Sequence, residues 1–440
     1  MSAKYLAILA ALPLIACDVR ETDAPESEAT QTAQRDWNAE LGYEPMAEDN
    51  FADSMASSDE QYTTTSREGA AMDEASEGAM DGTSTRGTQI ADVQERPIMQ
   101  AQVVLDRQGF GPGVIDGRMG SSTRNALEGF QEANGLEVTG ELNEETEQAL
   151  SEWSRIPATR VVTIPANWRN LEFNAVPDDP AEQAEMERLG YESLDEKVAE
   201  RFHTTVAVLR ELNLDGRPAG ATGPASSNSA APRSSASPSA TPTPTPPASA
   251  STTPGDTSSK SLFAAGQQLR VPNIGADRIE PGAIQDKGWQ QTLASLGVGT
   301  DQPDVARIVV DESEGWLKGY DAEDRLVAMF TVTTGSRNDP LPVGEWGVTG
   351  VGRNPPFSYQ PTLFWDVPDD EEEQQLPPGP NGPVGVVWID LTKEHYGIHG
   401  TNAPETIGRV QSHGCVRLTN WDAARLAGMV STDTVVIFQT

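Results

Sequence analysis

The sequence predicts a multidomain chain: a mainly β domain at the C-terminal end, a small three-helix domain nearer the N-terminus, and an interrupted α+β segment between them. Three observations predict this. Beyond residue 303, short β-branched apolar runs alternate with Gly- and Pro-rich turns. Between 97 and 153, apolar residues recur at helical spacing in three short blocks. Two stretches, 18–95 and 217–260, are poor in the large apolar residues a core requires and so divide the chain. At 440 residues the chain is long enough to bury several cores.

Residues 1–17 read as a processing signal. Lys4 precedes an apolar run, Tyr5 to Ile15, too short to span a bilayer as a permanent helix. The run ends Leu14-Ile15-Ala16-Cys17, which resembles a bacterial lipoprotein cleavage box and implies lipidation of Cys17. An ordinary secretory signal cleaved near Ala16 is the alternative, and both readings export the protein. Residues 18–95 carry 20 acidic residues against four Arg and no Lys. Such a segment cannot bury enough surface to offset chain entropy and is expected to be a disordered tether, with a reach of roughly 50 Å. The net charge of −36 argues against nucleic acid as a partner.

The domain at 97–153 begins with a helix carrying Ile98, Val103, Val104 and Leu105, closed by Gly109-Phe110. The glycine-studded turn Gly111 to Gly117 follows. Ser121 or Ser122 is placed to cap a second helix through Ala126, Leu127 and Phe130 to Asn134-Gly135, and Asn143 to cap a third over Glu144 to Leu150. From 158 to 275, Leu194, Val198, Phe202, Leu209 and Leu212 have amphipathic helical spacing, and the Pro/Ser/Thr-rich linker 217–260 interrupts the segment before Phe263 to Pro272. His203 reads as a surface or helix-flank residue.

In the C-terminal domain, 303–440, Ile308–Asp311 and Leu326–Val332 read as a hairpin about Ala322-Glu323-Asp324. Val348-Thr349, Thr362–Trp365, Val386–Ile389 and Val435–Phe438 read as further strands. Trp421–Met429, capped by Asn420, is the one firm helix there. The length of the Pro-, Asp- and Glu-rich stretch between Asn354 and Gly385 suggests a functional loop over a cleft.

The chemistry concentrates in two blocks. Residues 412–417 read Ser-His-Gly-Cys-Val-Arg, and His399 stands sixteen residues before Cys415, followed by Gly400. The chain has two cysteines, and Cys17 has its own explanation, so Cys415 is a nucleophile candidate and not half of a bridge. A thiol at its free pKa is mostly protonated. A nearby imidazole takes its proton and stabilises the thiolate, and the adjacent glycine lets a carbonyl approach the backbone.

These blocks, with Pro342–Trp346 and Gly385–Ile389, resemble the signature of the L,D-transpeptidase (YkuD-type) catalytic domain, a β-sandwich. Leu105, Gly109-Phe110, Ile115-Asp116-Gly117, Ala126-Leu127, Phe130-Gln131 and Asn134-Gly135-Leu136 are similar to a peptidoglycan-binding-like domain, whose polar turn residues are equally readable as ligand contacts or plain caps. Residues 158–275 resemble an interrupted LysM module; the insertion favours a structural over a glycan-binding role.

The resemblance implies that Cys415 attacks the bond between a diamino acid and D-Ala of a stem tetrapeptide, with His399 as base and then acid and the Gly400 carbonyl orienting the imidazole. Amides at Gly414 and Cys415 are expected to hold the oxyanion. His413 is expected to shape the pocket and Ser412 to bond locally. Arg417 is a donor for a stem-peptide carboxylate or a structural ion pair; His395 reads as a satisfied strand residue. The expected partners are peptidoglycan stem peptides and glycan, a protein acceptor for wall attachment, and a membrane through lipid on Cys17, in the periplasm. No metal and no cofactor are expected. A hydrolase using water as acceptor and a non-enzymatic wall-binding scaffold are the competing readings, and the paired Cys415 and His399 speak against the scaffold.

Overall fold

The computed structural model describes residues 90–221, 261–275, 278–368 and 370–440. Cys17 and most of the stretches 18–95 and 217–260 lie outside the described residues. The last residues of the acidic stretch, 90–95, are described and held in place: Asp92 accepts from Thr159 Oγ1 at 2.8 Å, and Arg270 Nη2 donates to the Ile90 carbonyl at 2.7 Å.

The first unit is α1 (Pro97–Arg107), β1 (Phe110–Gly111), α2 (Ser121–Ala133) and α3 (Glu144–Leu150). Pro97 opens α1, where its missing N–H costs nothing. Asn143 caps α3, accepting from the Thr146 amide at 2.9 Å. The cap of α2 differs from expectation: Gly120 occupies it in extended backbone, and Ser121 and Ser122 are the first helical residues. Leu105, Phe110, Leu127 and Phe130 form the core, with Phe130 edge-to-face on Phe110 and Trp153.

The second unit runs β2 (Thr159–Thr163), α4 (Pro180–Ala184), α5 (Leu194–Arg201), α6 (Val206–Leu212) and β3 (Gln268–Pro272). The two strands pair antiparallel, Thr159 to Pro272 through Thr163 to Gln268. Ser193 and Thr205 cap α5 and α6. The buried faces of these helices meet at Val198, Phe202, Leu209 and Leu269.

The third unit is mainly β. Helix α7 (Lys287–Leu296) leads into β4 (Arg307–Asp311), β5 (Trp316–Tyr320), β6 (Leu326–Thr331), β7 (Gly344–Arg353), β8 (Phe357–Tyr359), β9 (Gln374–Leu376), β10 (Val387–Leu391), β11 (Gly397–His399), β12 (Val416–Arg417), α8 (Asn420–Met429) and β13 (Val435–Gln439). The expected hairpin 308–332 is a three-strand meander. Its middle strand, Trp316–Tyr320, reads Trp-Leu-Lys-Gly-Tyr, so Lys318 and Gly319 leave no long apolar run. Helix α7 also escaped the sequence reading, though Asp286 caps it and Gly297 ends it in the left-handed region. The cap of α8 is Thr419, which accepts from the Asp422 amide at 3.1 Å; Asn420 is already helical. Residues 354–385 are not an open loop throughout: β8 and β9 pair antiparallel.

Nine strands join one sheet in the order β1-β6-β5-β4-β13-β7-β10-β11-β12. Its first member comes from the helical unit, Phe110 and Gly111 pairing in parallel with Met329 and Phe330. Trp289, Leu296, Phe330, Trp421, Leu426 and Phe438 belong to one core under the sheet.

His203 is not a surface residue. It is fully buried, with φ of +52°. Its Nδ1 lies 3.2 Å from Asp106 Oδ1, its Nε2 lies 2.9 Å from the Leu296 carbonyl, and its ring stacks on Trp421 at 5.0 Å. Arg425 meets the same Asp106 carboxylate with two bonds, at 2.9 and 2.8 Å. Residues of all three units therefore share one desolvated node, and leaving a partner uncompensated in such a place costs about 3–5 kcal/mol.

Candidate active site

The site is built where β11 and β12 run side by side in parallel, Ile398 opposite Val416 and His399 opposite Arg417. Further bonds fix this pairing. The Leu418 amide donates to the His399 carbonyl at 2.8 Å, and Thr333 exchanges backbone bonds with Arg417 at 3.1 and 2.8 Å. Cys415 thus enters β12 beside the strand that ends in His399.

His399 is 4% exposed, and its ring stacks on Trp388 with centroids 5.5 Å apart. Nδ1 sits 2.7 Å from the Gly400 carbonyl. A carbonyl only accepts, so this contact assigns the Nδ1–H tautomer and leaves Nε2 its lone pair. Burial, and then the nearby Arg417 guanidinium, push the imidazole pKa down to about 3, against the Gly400 bond. Burial also pushes the Cys415 thiol up, opposed by the Gly397 amide and Arg417. The thiol lies 3.7 Å from the His395 carbonyl. Both shifts favour a neutral imidazole and a neutral thiol, whereas the sequence expectation is an imidazole that stabilises a thiolate. Desolvation penalises both charged forms.

The motif residues divide by environment. Ser412 Oγ donates to the Cys415 carbonyl at 2.6 Å, and the Ser412 amide donates to the Thr334 carbonyl at 2.8 Å, so Ser412 pins the turn before the cysteine. Gly414 has φ of +99°, and a Cβ there would lie 2.6 Å from the Tyr396 ring. His413 Nε2 lies 2.7 Å from Asp366 Oδ1, and the ring packs edge-on against Phe364 at 5.1 Å. Phe364, Asp366 and the largely exposed Trp365 all come from the connection between β8 and β9. His413 Nδ1 and Arg417 Nε are buried without a hydrogen-bond partner among the described residues. His395 is no strand residue: it sits in the turn before β11 with φ of +64°, its ring exposed near Glu394.

Sequence reasoning missed Trp388 as the wall behind His399, Asp366 as the partner of His413, and the side chain of Asn420. Trp388 was visible only as a strand residue. Asp366 is 47 positions from His413, and no local pattern joins them. Asn420 Oδ1 lies so close to the backbone at Gly385 and Gly400 that a Cβ on either would collide with it. Among the described residues no cluster of His, Cys, Asp and Glu is placed to hold a metal ion. A cleft of about 170 Å³ opens elsewhere, among Gly113, Arg118, Glu211 and Arg409 of the three units, and Cys415 does not line it.

A mainly β domain carrying paired His and Cys on adjacent strands matches known proteins. Residues 306–438 match the family model "L,D-transpeptidase catalytic domain", and residues 94–150 match "Putative peptidoglycan binding domain". The chain is 34% identical over 140 residues to "Putative L,D-transpeptidase YkuD" of Bacillus licheniformis, covering 31% of this chain and 69% of that protein. It is 28% identical over 195 residues to "Probable L,D-transpeptidase YbiS" of Escherichia coli, covering 42% of this chain and 61% of that one. The solved L,D-transpeptidase from Mycobacterium smegmatis aligns at 20% identity over 30% of this chain and 58% of that chain, with a TM-score of 0.25. The chain belongs to the L,D-transpeptidase family, with a helical peptidoglycan-binding domain preceding its catalytic domain.

Proposed function

We propose that the chain is a cysteine-dependent peptidoglycan L,D-transpeptidase. One observation carries this reading: the parallel pairing of β11 with β12 puts His399 opposite Arg417, two residues beyond Cys415, and the Gly400 carbonyl engages His399 Nδ1, which leaves Nε2 free to serve as the base. Cys415 Sγ attacks the carbonyl of the diamino acid–D-Ala bond while its proton passes to His399 Nε2. The amide C–N bond breaks, and the same proton leaves with the amino group of D-Ala. The diamino-acid acyl group is then held as a thioester on Cys415 until an amine attacks; His399 takes the amine's proton and returns it to Sγ as the C–S bond breaks.

Because both groups rest neutral, proton transfer accompanies attack and is not completed beforehand. Positioned base catalysis of this kind is worth about 10²–10⁴-fold. Amides at Gly414 and Cys415 would receive the oxyanion. The unpartnered Arg417 Nε and His413 Nδ1 support a role for both in holding a polar substrate group. The helical domain supports delivery to peptidoglycan. Export and a lipid anchor on Cys17 would place the enzyme at the wall, in the periplasm. The acceptor amine belongs to a second stem peptide or to a protein.

The test is to incubate the purified chain with a defined tetrapeptide muropeptide and identify the products by mass spectrometry. A cross-linked dimer with loss of one D-Ala supports the transpeptidase. Loss of D-Ala alone would make it a hydrolase, and unchanged substrate would remove the assignment.

A further inference from the structure

We propose that Glu200, on α5 outside the catalytic domain, is a positioning residue for His399, acting through Asn420. The inference rests on His399 being the base. The two ends of the Asn420 carboxamide do different things. Oδ1 accepts from the Val386 amide at 3.3 Å and is wedged between Gly385 and Gly400. Nδ2 donates to Glu200 Oε1 at 2.8 Å and to the Pro380 carbonyl at 3.1 Å. Gly400 is the residue whose carbonyl receives His399 Nδ1. A carboxamide is nearly symmetric in shape, so its partners decide which end faces which way. Turned over, Asn420 would aim its NH₂ at the Val386 N–H and the α-carbon of Gly400, and would set its oxygen against the Pro380 carbonyl, which only accepts. Glu200, the second acceptor of Nδ2, holds the carboxamide at the height that seats its oxygen against the Gly385 and Gly400 backbone, and that contact sets where the Gly400 carbonyl stands.

The geometry of the interface supports this assignment. Asn420 and Trp421, adjacent at the start of α8, meet Glu200 and His203, three residues apart at the end of α5. The node of His203, Asp106 and Arg425 fixes α5 against α8, so the Glu200 carboxyl arrives at a set height. Glu200 and Asn420 are both buried. The accessory unit thus completes the support of the base, as outer groups orient the first ligands in other sites.

The experiment uses the full chain and two readouts: the first-order rate at which a carbapenem, whose strained β-lactam carbonyl stands in for the scissile amide and is opened by the thiol to a thioester, adds its mass to Cys415, and the proton resonance of the His399 Nδ1–H. Glu200→Gln keeps an acceptor and is expected to leave the rate within about twofold and the resonance in place. Glu200→Leu, which keeps the volume, is expected to slow acylation about tenfold per folded molecule and to move the resonance, short of the ~10²-fold that a misplacement of a full ångström costs. Drug affinity before acylation stays unchanged. A wild-type rate and resonance in Glu200→Leu would overturn the proposal, and so would an equal loss in Glu200→Gln.

Should Glu200→Leu fail to fold, Glu200→Met, which keeps the length of the side chain without an oxygen acceptor, is expected to show the same slowing and the same shift of the resonance. A wild-type rate and resonance in Glu200→Met would also overturn the proposal. His399→Ala in the same assay separates the two ideas. If it acylates at the wild-type rate, the role of His399 falls, while the resonance in the Glu200 variants, which keep His399, still reports whether Glu200 holds the ring.

Discussion

His203 and His399 are both buried, both stack on a tryptophan and both touch a backbone carbonyl, yet their surroundings commit them to different work. His203 uses both ring nitrogens, one on the Asp106 carboxylate and one on the Leu296 carbonyl, and lies in the node that joins the three units. His399 uses only Nδ1, and among the described residues its Nε2 makes no hydrogen bond. A saturated imidazole is a rigid bracket; one with an open nitrogen can move a proton. Burial lowers the pKa of both, although the Asp106 carboxylate opposes the shift at His203 and Arg417 adds to it at His399.

The largest effect expected is at Cys415. Cys415→Ala should abolish turnover and carbapenem acylation while the melting temperature holds, since a small, partly buried thiol contributes more chemistry than packing. Mass spectrometry of the intact protein reads the label. Retained turnover would remove the cysteine from the reaction.

The two histidines should then separate. His399→Ala is expected to slow acylation about 10²-fold or more, on the usual worth of a general base. His203→Ala should leave acylation per folded molecule within a few-fold but cost about 3 kcal/mol of stability, through lost hydrogen bonds and a cavity. Chemical denaturation together with acylation rates makes the comparison, and the reverse pattern would exchange the two roles. His413→Ala should hurt acylation less than His399→Ala, because its Nε2 is engaged by Asp366.

A pH profile sharpens the contrast. With its pKa held down to about 3, His399 stays neutral well below the range of an ordinary imidazole. The acylation rate should therefore be nearly flat from about pH 5 to 7, without the acid limb that an imidazole of pKa near 6.5 would give. A limb centred near 6.5 would show that His399 is solvated in the working enzyme.

The smallest effect expected is on stability at Glu200. Burial raises this carboxyl to about 7, so the folded state holds a proton that the unfolded chain has released. Stability is then lost as pH rises from about 4.5 through 7. Glu200→Gln removes that titration. It should melt higher than wild type at pH 8 and about equally at pH 4, and a constant difference across that range would deny the shift.

The sequence was informative where a property is local. The pairing of His399-Gly400 with Ser412–Arg417, the capping of α3 by Asn143 and the helical spacing of α1 and α2 depend on residues near one another, and the chain writes them in full. It misled where a neighbour came from far away. Trp316–Tyr320 lacks a strand's apolar run because its pairing to β4 and β6 supplies the stability. The stretch after Asn354 reads as loop because the pairing of Phe357–Tyr359 with Gln374–Leu376 is short.

The sequence by itself pointed to the family through its resemblance, and it put forward Cys415 as nucleophile and His399 as base, because such chemistry demands particular side chains at fixed spacing. Tertiary structure decided their states and their supports. Burial makes the resting pair neutral, Asp366 reaches His413 across 47 positions, and Asn420 Nδ2 meets Glu200 across 220. Desolvation and long-range hydrogen bonds are properties of what packs around a residue. No spacing within a segment records the neighbours that folding brings from elsewhere in the chain.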